Sequence, residues 1–154
     1  MAGTPDCACA PSVADRYTGR ISGPLRDRID LWVTMPRVPG AALVTAAAPE
    51  DSRAVAGRIA AVRKRQAARA NGRLIGRIRG RALRAACALD ALAERRAVEL
   101  AELERLSGRG TERLLRVART IADLAGSESV RPAHLEEAAR FRPPVSRLAQ
   151  RLAG

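Results

Sequence analysis

The sequence predicts a mainly helical fold with one short strand. Three observations carry this expectation. Ala, Leu, Arg and Glu, all good helix formers, make up much of the 154 residues. Apolar residues recur at helical spacing through the second half of the chain. One run, Ile29 to Met35, instead places Leu31, Val33 and Met35 at alternate positions, as a strand would. The length suits one domain with a modest core. With one Trp, one Tyr and one Phe, that core must come from Leu, Ile, Val and Ala.

The clearest helix covers residues 108–126. Leu114, Ala118, Ile121 and Ala125 fall at i, i+4, i+7 and i+11 on one apolar face. Glu112 and Arg116 stand four apart, as do Arg119 and Asp123, at ion-pair spacing. Ser107 or Thr111 can cap the start, and Gly126 suits the left-handed residue beyond the end. Arg109 lies between Gly108 and Gly110 at the mouth of this helix. A helix start favours anions, and an arginine there can grip a phosphate with two hydrogen bonds. A solvated arginine in a turn explains the same stretch and is the simpler reading of it alone.

The remaining elements follow in chain order. Residues 1–15 read as irregular. Cys7 and Cys9 form half of a metal site, but zinc needs about four ligands. The other soft ligands, Cys87 and His134, fall inside helical patterns, so free thiols in a loop are the simpler reading. Ser22-Gly23-Pro24 turns the chain into a short helix around Leu25–Arg28, with Pro24 suited to its first position. The strand Ile29–Met35 follows and ends at Pro36 and Pro39; nothing else in the chain reads as a partner for it.

Residues 40–51 read as a small-residue linker. Ser52 can cap a long helix over 53–70, with Val55, Ile59 and Val62 as its stripe and Arg58, Arg63, Lys64, Arg65 and Arg69 making it basic. Such a run is a solvated face or a phosphate-tracking one. Asn71-Gly72 ends it. A glycine-spaced basic patch, Arg73 to Arg81, leads into helices over 80–87 and 90–106. The latter has Leu92, Val98, Leu100, Leu103 and Leu106 as apolar positions. Pro132 starts a helix carrying Leu135, Ala138, Ala139 and Phe141, with His134 on its surface. Pro143-Pro144 breaks it before an amphipathic tail with Val145, Leu148 and Leu152.

The formal net charge of +12 points to nucleic acid, nucleotide phosphates or an acidic partner. Lys64 is the only lysine, and arginine with alanine is also what a GC-rich coding sequence yields, so the charge weighs less than its size. Three cysteines do not make a disulfide framework. No apolar run approaches a membrane span and no signal-peptide core follows Met1, so no membrane partner and a cytoplasmic location are expected. Lys64 stands inside a helical pattern without a preceding glycine loop, which excludes a Walker A motif in these residues. The single histidine has no nucleophile at motif spacing. By itself the chain reads as non-catalytic.

Two motifs resemble one family. Ile21-Ser22-Gly23-Pro24-Leu25-Arg26-Asp27-Arg28-Ile29-Asp30-Leu31, followed by Pro36-Arg37-Val38-Pro39, resembles the end of the ATPase core in magnesium-chelatase-like AAA+ proteins of the ComM/YifB type. Leu114 to Leu124 resembles the signature helix of their C-terminal lid, and Arg131 to Ala138 is similar to their next helix. The likeness runs from about Cys7 to Pro143. It departs from the pattern at Arg26, where the motif has a leucine, and at Gly108 and Gly110, where larger residues stand, which predicts a more flexible segment.

The resemblance implies a helical AAA+ C-terminal lid bundle preceded by a short strand-containing remnant of the α/β ATPase core. The implied division is 1–39 for the end of the core, 40–72 for a linker and long basic helix, and 73–154 for the lid. Arg28 takes the place of an arginine finger acting in trans on ATP held by a neighbouring subunit. Arg109 takes the place of the second sensor, touching ATP in its own subunit. Cys7 and Cys9 match the second half of a four-cysteine insertion. ATP and magnesium belong to a core that would precede Cys7, so the chain reads as a C-terminal piece with no cofactor of its own. Implied partners are that core or neighbouring subunits of a homo-oligomer, a hexamer in the family, with DNA as a further candidate. The alternative is a free-standing basic helical nucleic-acid-binding protein, working through phosphates because it has no aromatic stacking platform.

Overall fold

The computed structural model describes residues 8, 10–26, 28–45 and 50–142. The helices are α1 (Pro11–Thr18), α2 (Gly23–Arg26), α3 (Gly40–Thr45), α4 (Ser52–Arg69), α5 (Gly80–Cys87), α6 (Ala91–Leu103), α7 (Gly108–Leu124) and α8 (Pro132–Arg140). A 3₁₀ turn, Ile75–Arg77, precedes α5. Among the described residues there is no strand.

α7 is the centre of the body. It packs against α8, α5, α6, α4 and the 3₁₀ turn. Its start is set by Ser107, whose Oγ accepts from the Gly110 N–H at 3.1 Å. Its end is a Schellman turn: the Ser127 N–H donates to Ala122 O at 2.8 Å and Gly126 N–H to Asp123 O at 3.2 Å. Gly126 has φ 73, which a glycine adopts without cost. The buried face holds Leu114, Leu115, Ala118 and Ala122. Of the expected face, Leu114 and Ala118 are buried, Ile121 is half-buried and Ala125 is exposed. Leu83, Leu114 and Leu135 are at most 1% exposed, and each contributes roughly 2–3 kcal/mol through apolar burial.

α6 buries its small residues. Ala93, Ala97 and Leu100, at i, i+4 and i+7, face the core, while Leu92, Val98 and Leu103 are exposed. α5 and α8 take the expected places, and the Arg131 N–H donates to His134 Nδ1 at 3.1 Å across the start of α8. His134 is therefore half-buried and part of a cap, not a plain surface residue.

α4 is capped by Asp51, whose carboxylate accepts from the Arg53 N–H at 3.1 Å, rather than by Ser52. Only its second half docks: Val62 and Gln66 are buried, Val55 is half-buried and Ile59 is exposed. Gln66 Oε1 accepts from the Ile75 N–H at 3.3 Å, which pins the 3₁₀ turn against α4.

The first part of the chain departs most from expectation. Residues 11–15 belong to helix α1, and Gly40–Thr45 of the expected linker is helical. The expected strand Ile29–Met35, and with it the strand-containing remnant, is corrected: residues 29–39 carry no regular structure. A strand needs a neighbour for its backbone groups, and the described residues supply none. Among the described residues this segment meets the body through side chains and through a backbone bond from the Trp32 N–H to Phe141 O at 2.9 Å. Cys7, Cys9 and the tail with Val145, Leu148 and Leu152 lie outside the described residues.

Candidate functional site

The arginines of α7 fall into two groups. Arg119 is fully buried; it pairs with Asp123 at 2.9 Å and donates to the Glu128 and Ser127 carbonyls. Burial lowers its pKa from the ordinary value, against the pull of Asp123. Asp123 also receives Arg69 through two bonds at 2.7 and 3.2 Å, and its carbonyl receives Arg65 at 2.7 Å. This cluster bolts α4 to the end of α7.

Arg113 is 3% exposed. It donates to Ile29 O at 2.8 Å, and its Nε lies 3.7 Å from the Asp30 carboxylate. Arg116 Nη1 approaches the same carboxylate at 3.5 Å, and Glu112 stands 3.9 Å away on its own helix. Burial lowers the Arg116 pKa, and the Arg79 charge adds to the effect. Glu112 also accepts from the Gly80 N–H at 2.8 Å.

Arg109 differs from all three. It is the second residue of α7, exposed, with no ion pair among the described residues. Beside it, Gly110 is buried; a Cβ there would meet Leu106 Cβ at 3.3 Å and Arg142 Nη2 at 3.4 Å. The backbone that carries Arg109 is thus held closely while its side chain faces outward. Arg28 is exposed too, with no ion pair among the described residues. Its N–H donates to Leu25 O at 2.9 Å, closing the turn after α2. Sequence reasoning named Arg28 and Arg109 but missed Arg113 and Asp30, which join their two segments. Arginine usually signals a solvated face, and nothing local in the sequence marks Arg113 as buried.

Among the described residues no group of three or more His, Cys, Asp or Glu could hold a metal ion. No helix there is long and apolar enough to cross a membrane.

The family described as magnesium chelatase, subunit ChlI C-terminal, matches residues 49–142. The chain belongs to this family. The family described as magnesium chelatase, subunit ChlI, matches residues 2–43. The uncharacterized protein YifB of Escherichia coli strain K12 is 38% identical over 139 residues, 87% of this chain and 26% of that protein. The uncharacterized protein Rv2897c of Mycobacterium tuberculosis is 39% identical over 131 residues, 80% of this chain and 25% of that protein. The competence protein ComM of Haemophilus influenzae is 35% identical over 147 residues, 93% and 28% respectively. The chain thus spans about a quarter of the length of these relatives. Both magnesium-chelatase matches meet at the contact already described: Ile29 and Asp30 lie in one, Arg113 and Arg116 in the other.

Proposed function

We propose that this chain is the nucleotide-sensing lid and arginine-finger portion of a ComM/YifB-type AAA+ ATPase that works in DNA processing and hydrolyses nothing by itself. One observation carries the reading. Of the four arginines on α7, Arg113, Arg116 and Arg119 have acidic or carbonyl partners, whereas Arg109 stands exposed at the helix start with no ion pair among the described residues. Its charge is left for a ligand, and a helix start suits phosphate.

The described donor set fits the phosphates of ATP and not magnesium. Arg28 and Arg109 are cationic, and magnesium would need oxygen ligands from elsewhere in the assembly. ATP supplies the phosphoryl group. Arg109 binds its phosphate oxygens in the same subunit and links the lid to the nucleotide. Arg28 reaches the neighbouring subunit's site and offsets charge that develops in the transition state. The exposed Leu31, Val33 and Met35 are the surface on which the ATPase core would complete the arm.

The test is to join this chain to the N-terminal ATPase portion of a relative. The joined protein should hydrolyse ATP. Arg28→Ala should lower turnover by about 10³–10⁵ with ATP binding kept, the usual worth of an arginine finger. Arg109→Ala should weaken both. Full turnover in both variants would refute the assignment.

One observation favours a second reading, a basic helical module acting directly on nucleic acid. From Ser52 to Leu89 the chain has eleven Arg and Lys and not one Asp or Glu. Arg53, Arg63, Lys64, Arg73, Arg77, Arg81 and Arg84 of this stretch are exposed. Binding through such residues releases counterions, so it must weaken steeply with salt and ignore base sequence. Tight, sequence-blind, salt-sensitive binding of duplex DNA by the isolated chain would support this reading.

A further inference from the structure

Arg28 and Arg109 belong to one connected piece of structure. The residue after Arg28, Ile29, gives its carbonyl to Arg113 at 2.8 Å. Asp30 sets its carboxylate 3.7 Å from Arg113 and 3.5 Å from Arg116. Arg113 lies one turn beyond Arg109 on α7, and Arg116 nearly two. Beyond Trp32, the side chains from Val33 to Pro39 are exposed. At Ile29, Asp30 and Trp32 the arm carrying Arg28 is in contact with the body.

We infer that Asp30, Arg113 and Arg116 form a positioning clasp that ties Arg28 to α7, so that α7 moving with Arg109 on a phosphate changes how Arg28 is presented to the neighbouring site. The roles of the two arginines rest on the function proposed above. The clasp itself rests on the distances.

Its parts have different strengths. Arg113 is buried and holds the backbone at Ile29, a fixed anchor. The Asp30 side chain is 49% exposed, and ion pairs at such sites are weak and screened by salt. A weak pair next to a fixed anchor can open without unfolding the bundle. Asp30 also offsets a crowded cationic spot, since Arg79 and Arg113 both act on Arg116. Without the carboxylate, like charges face one another and the arm loses its orientation.

Trp32 supplies a probe in the chain alone, because it is the only tryptophan and lies two residues from Asp30. Asp30→Asn should shift its emission to longer wavelength and raise acrylamide quenching, with far-UV circular dichroism unchanged. Asp30→Glu should restore most of the signal, and high salt should mimic Asp30→Asn in the unsubstituted chain. Unchanged emission and quenching in Asp30→Asn would overturn the clasp.

The second measurement uses the chain joined to an ATPase core. Asp30→Asn should lower kcat about tenfold or more with the KM for ATP nearly unchanged, and Asp30→Glu should recover part of it. In an Arg28→Ala background, Asp30→Asn should add no further loss, because a residue acting through Arg28 has nothing left to position. Multiplying effects would overturn the coupling. If Arg28→Ala alone left turnover intact, the roles of the arginines would fall and the coupling with them, while the Trp32 signal would still report on the clasp.

Discussion

Arg119 and Asp123 form an ion pair at 2.9 Å, one turn apart on α7, with neither side chain reaching solvent. The pair is more than a helix-surface contact. Asp123 also receives Arg69 of α4, and Arg119 also holds the carbonyls of Ser127 and Glu128. Two cations share one acid, and backbone oxygens accept from both terminal nitrogens of Arg119, while its buried Nε has no hydrogen-bond partner among the described residues. The cluster joins α4, α7 and the turn into α8.

Removing the acid should be severe. Asp123→Ala leaves Arg119 buried without its counter-charge, and breaking one side of a buried pair costs about 3–5 kcal/mol. Urea unfolding followed at the helix signal should show a loss of this size. A loss below about 1 kcal/mol would mean that the backbone carbonyls suffice for Arg119.

Arg105 ends α6 in a left-handed conformation, with φ 47. It occupies the position that Gly126 fills after α7, and the bonds are the same kind: Leu106 N–H to Ala101 O at 2.8 Å and Arg105 N–H to Glu102 O at 3.1 Å. A side chain there is strained by about 1–2 kcal/mol, against a glycine entropy cost of about 0.5–1 kcal/mol. Arg105→Gly should therefore raise the thermal midpoint by a few degrees, and a lower midpoint would contradict it.

Cys87 should make stability fall at alkaline pH. Its thiol is fully buried, lies 3.6 Å from Leu115 O, and burial raises its pKa from 9.0 to about 11. The folded state prefers the protonated thiol. This contribution, roughly 2–3 kcal/mol, is fully present below pH 9 and is lost as pH rises towards 11. Cys87→Ala should flatten the fall across that window in denaturant titrations, beyond its own cavity cost. The native thiol should also resist alkylating reagents at pH 8.

His134 should act in the opposite direction. Burial lowers its pKa below 6.5, aided by the charges of Arg119 and Arg131, against Glu137. Its neutral Nδ1 accepts from the Arg131 N–H, so protonation removes the cap. The stability it contributes is present above pH 6.5 and is lost as pH falls through its folded-state value. Proton NMR of this single histidine should give a titration midpoint below 6.5, with loss of amide protection in the first turn of α8 at lower pH.

Much of the helical body was legible in the sequence, because local chemistry fixes its ends. Ser107, Gly126 and Pro132 mark the boundaries of α7 and α8, and Asn71-Gly72 ends α4. The face of α6 is not legible from its large apolar residues. Leu92 and Leu103 are exposed while Ala93 and Ala97 fill the narrow space beside α7 and α8. Period-two alternation at Leu31, Val33 and Met35 indicated a strand, but alternation supplies no partner, and this arm is held by Arg113 and Phe141 instead. The Arg119–Asp123 spacing was visible; its burial was not, since i,i+4 pairs are ordinarily solvated. Arg28 is legible only through the motif resemblance, Arg109 through its place at a helix start as well, and their connection through Ile29 and Asp30 is not legible because the contact spans 84 residues.

The most direct test of the proposed function mixes two inactive subunits of the joined protein. One carries Arg28→Ala; the other has an intact Arg28 and a disabled nucleotide-binding loop in its ATPase core. If Arg28 acts across the subunit boundary, some mixed sites pair a working loop with a working arginine, and ATP hydrolysis returns to a fraction of the unsubstituted rate. If the mixture stays as inactive as its parents although co-assembly is demonstrated, Arg28 does not act in trans.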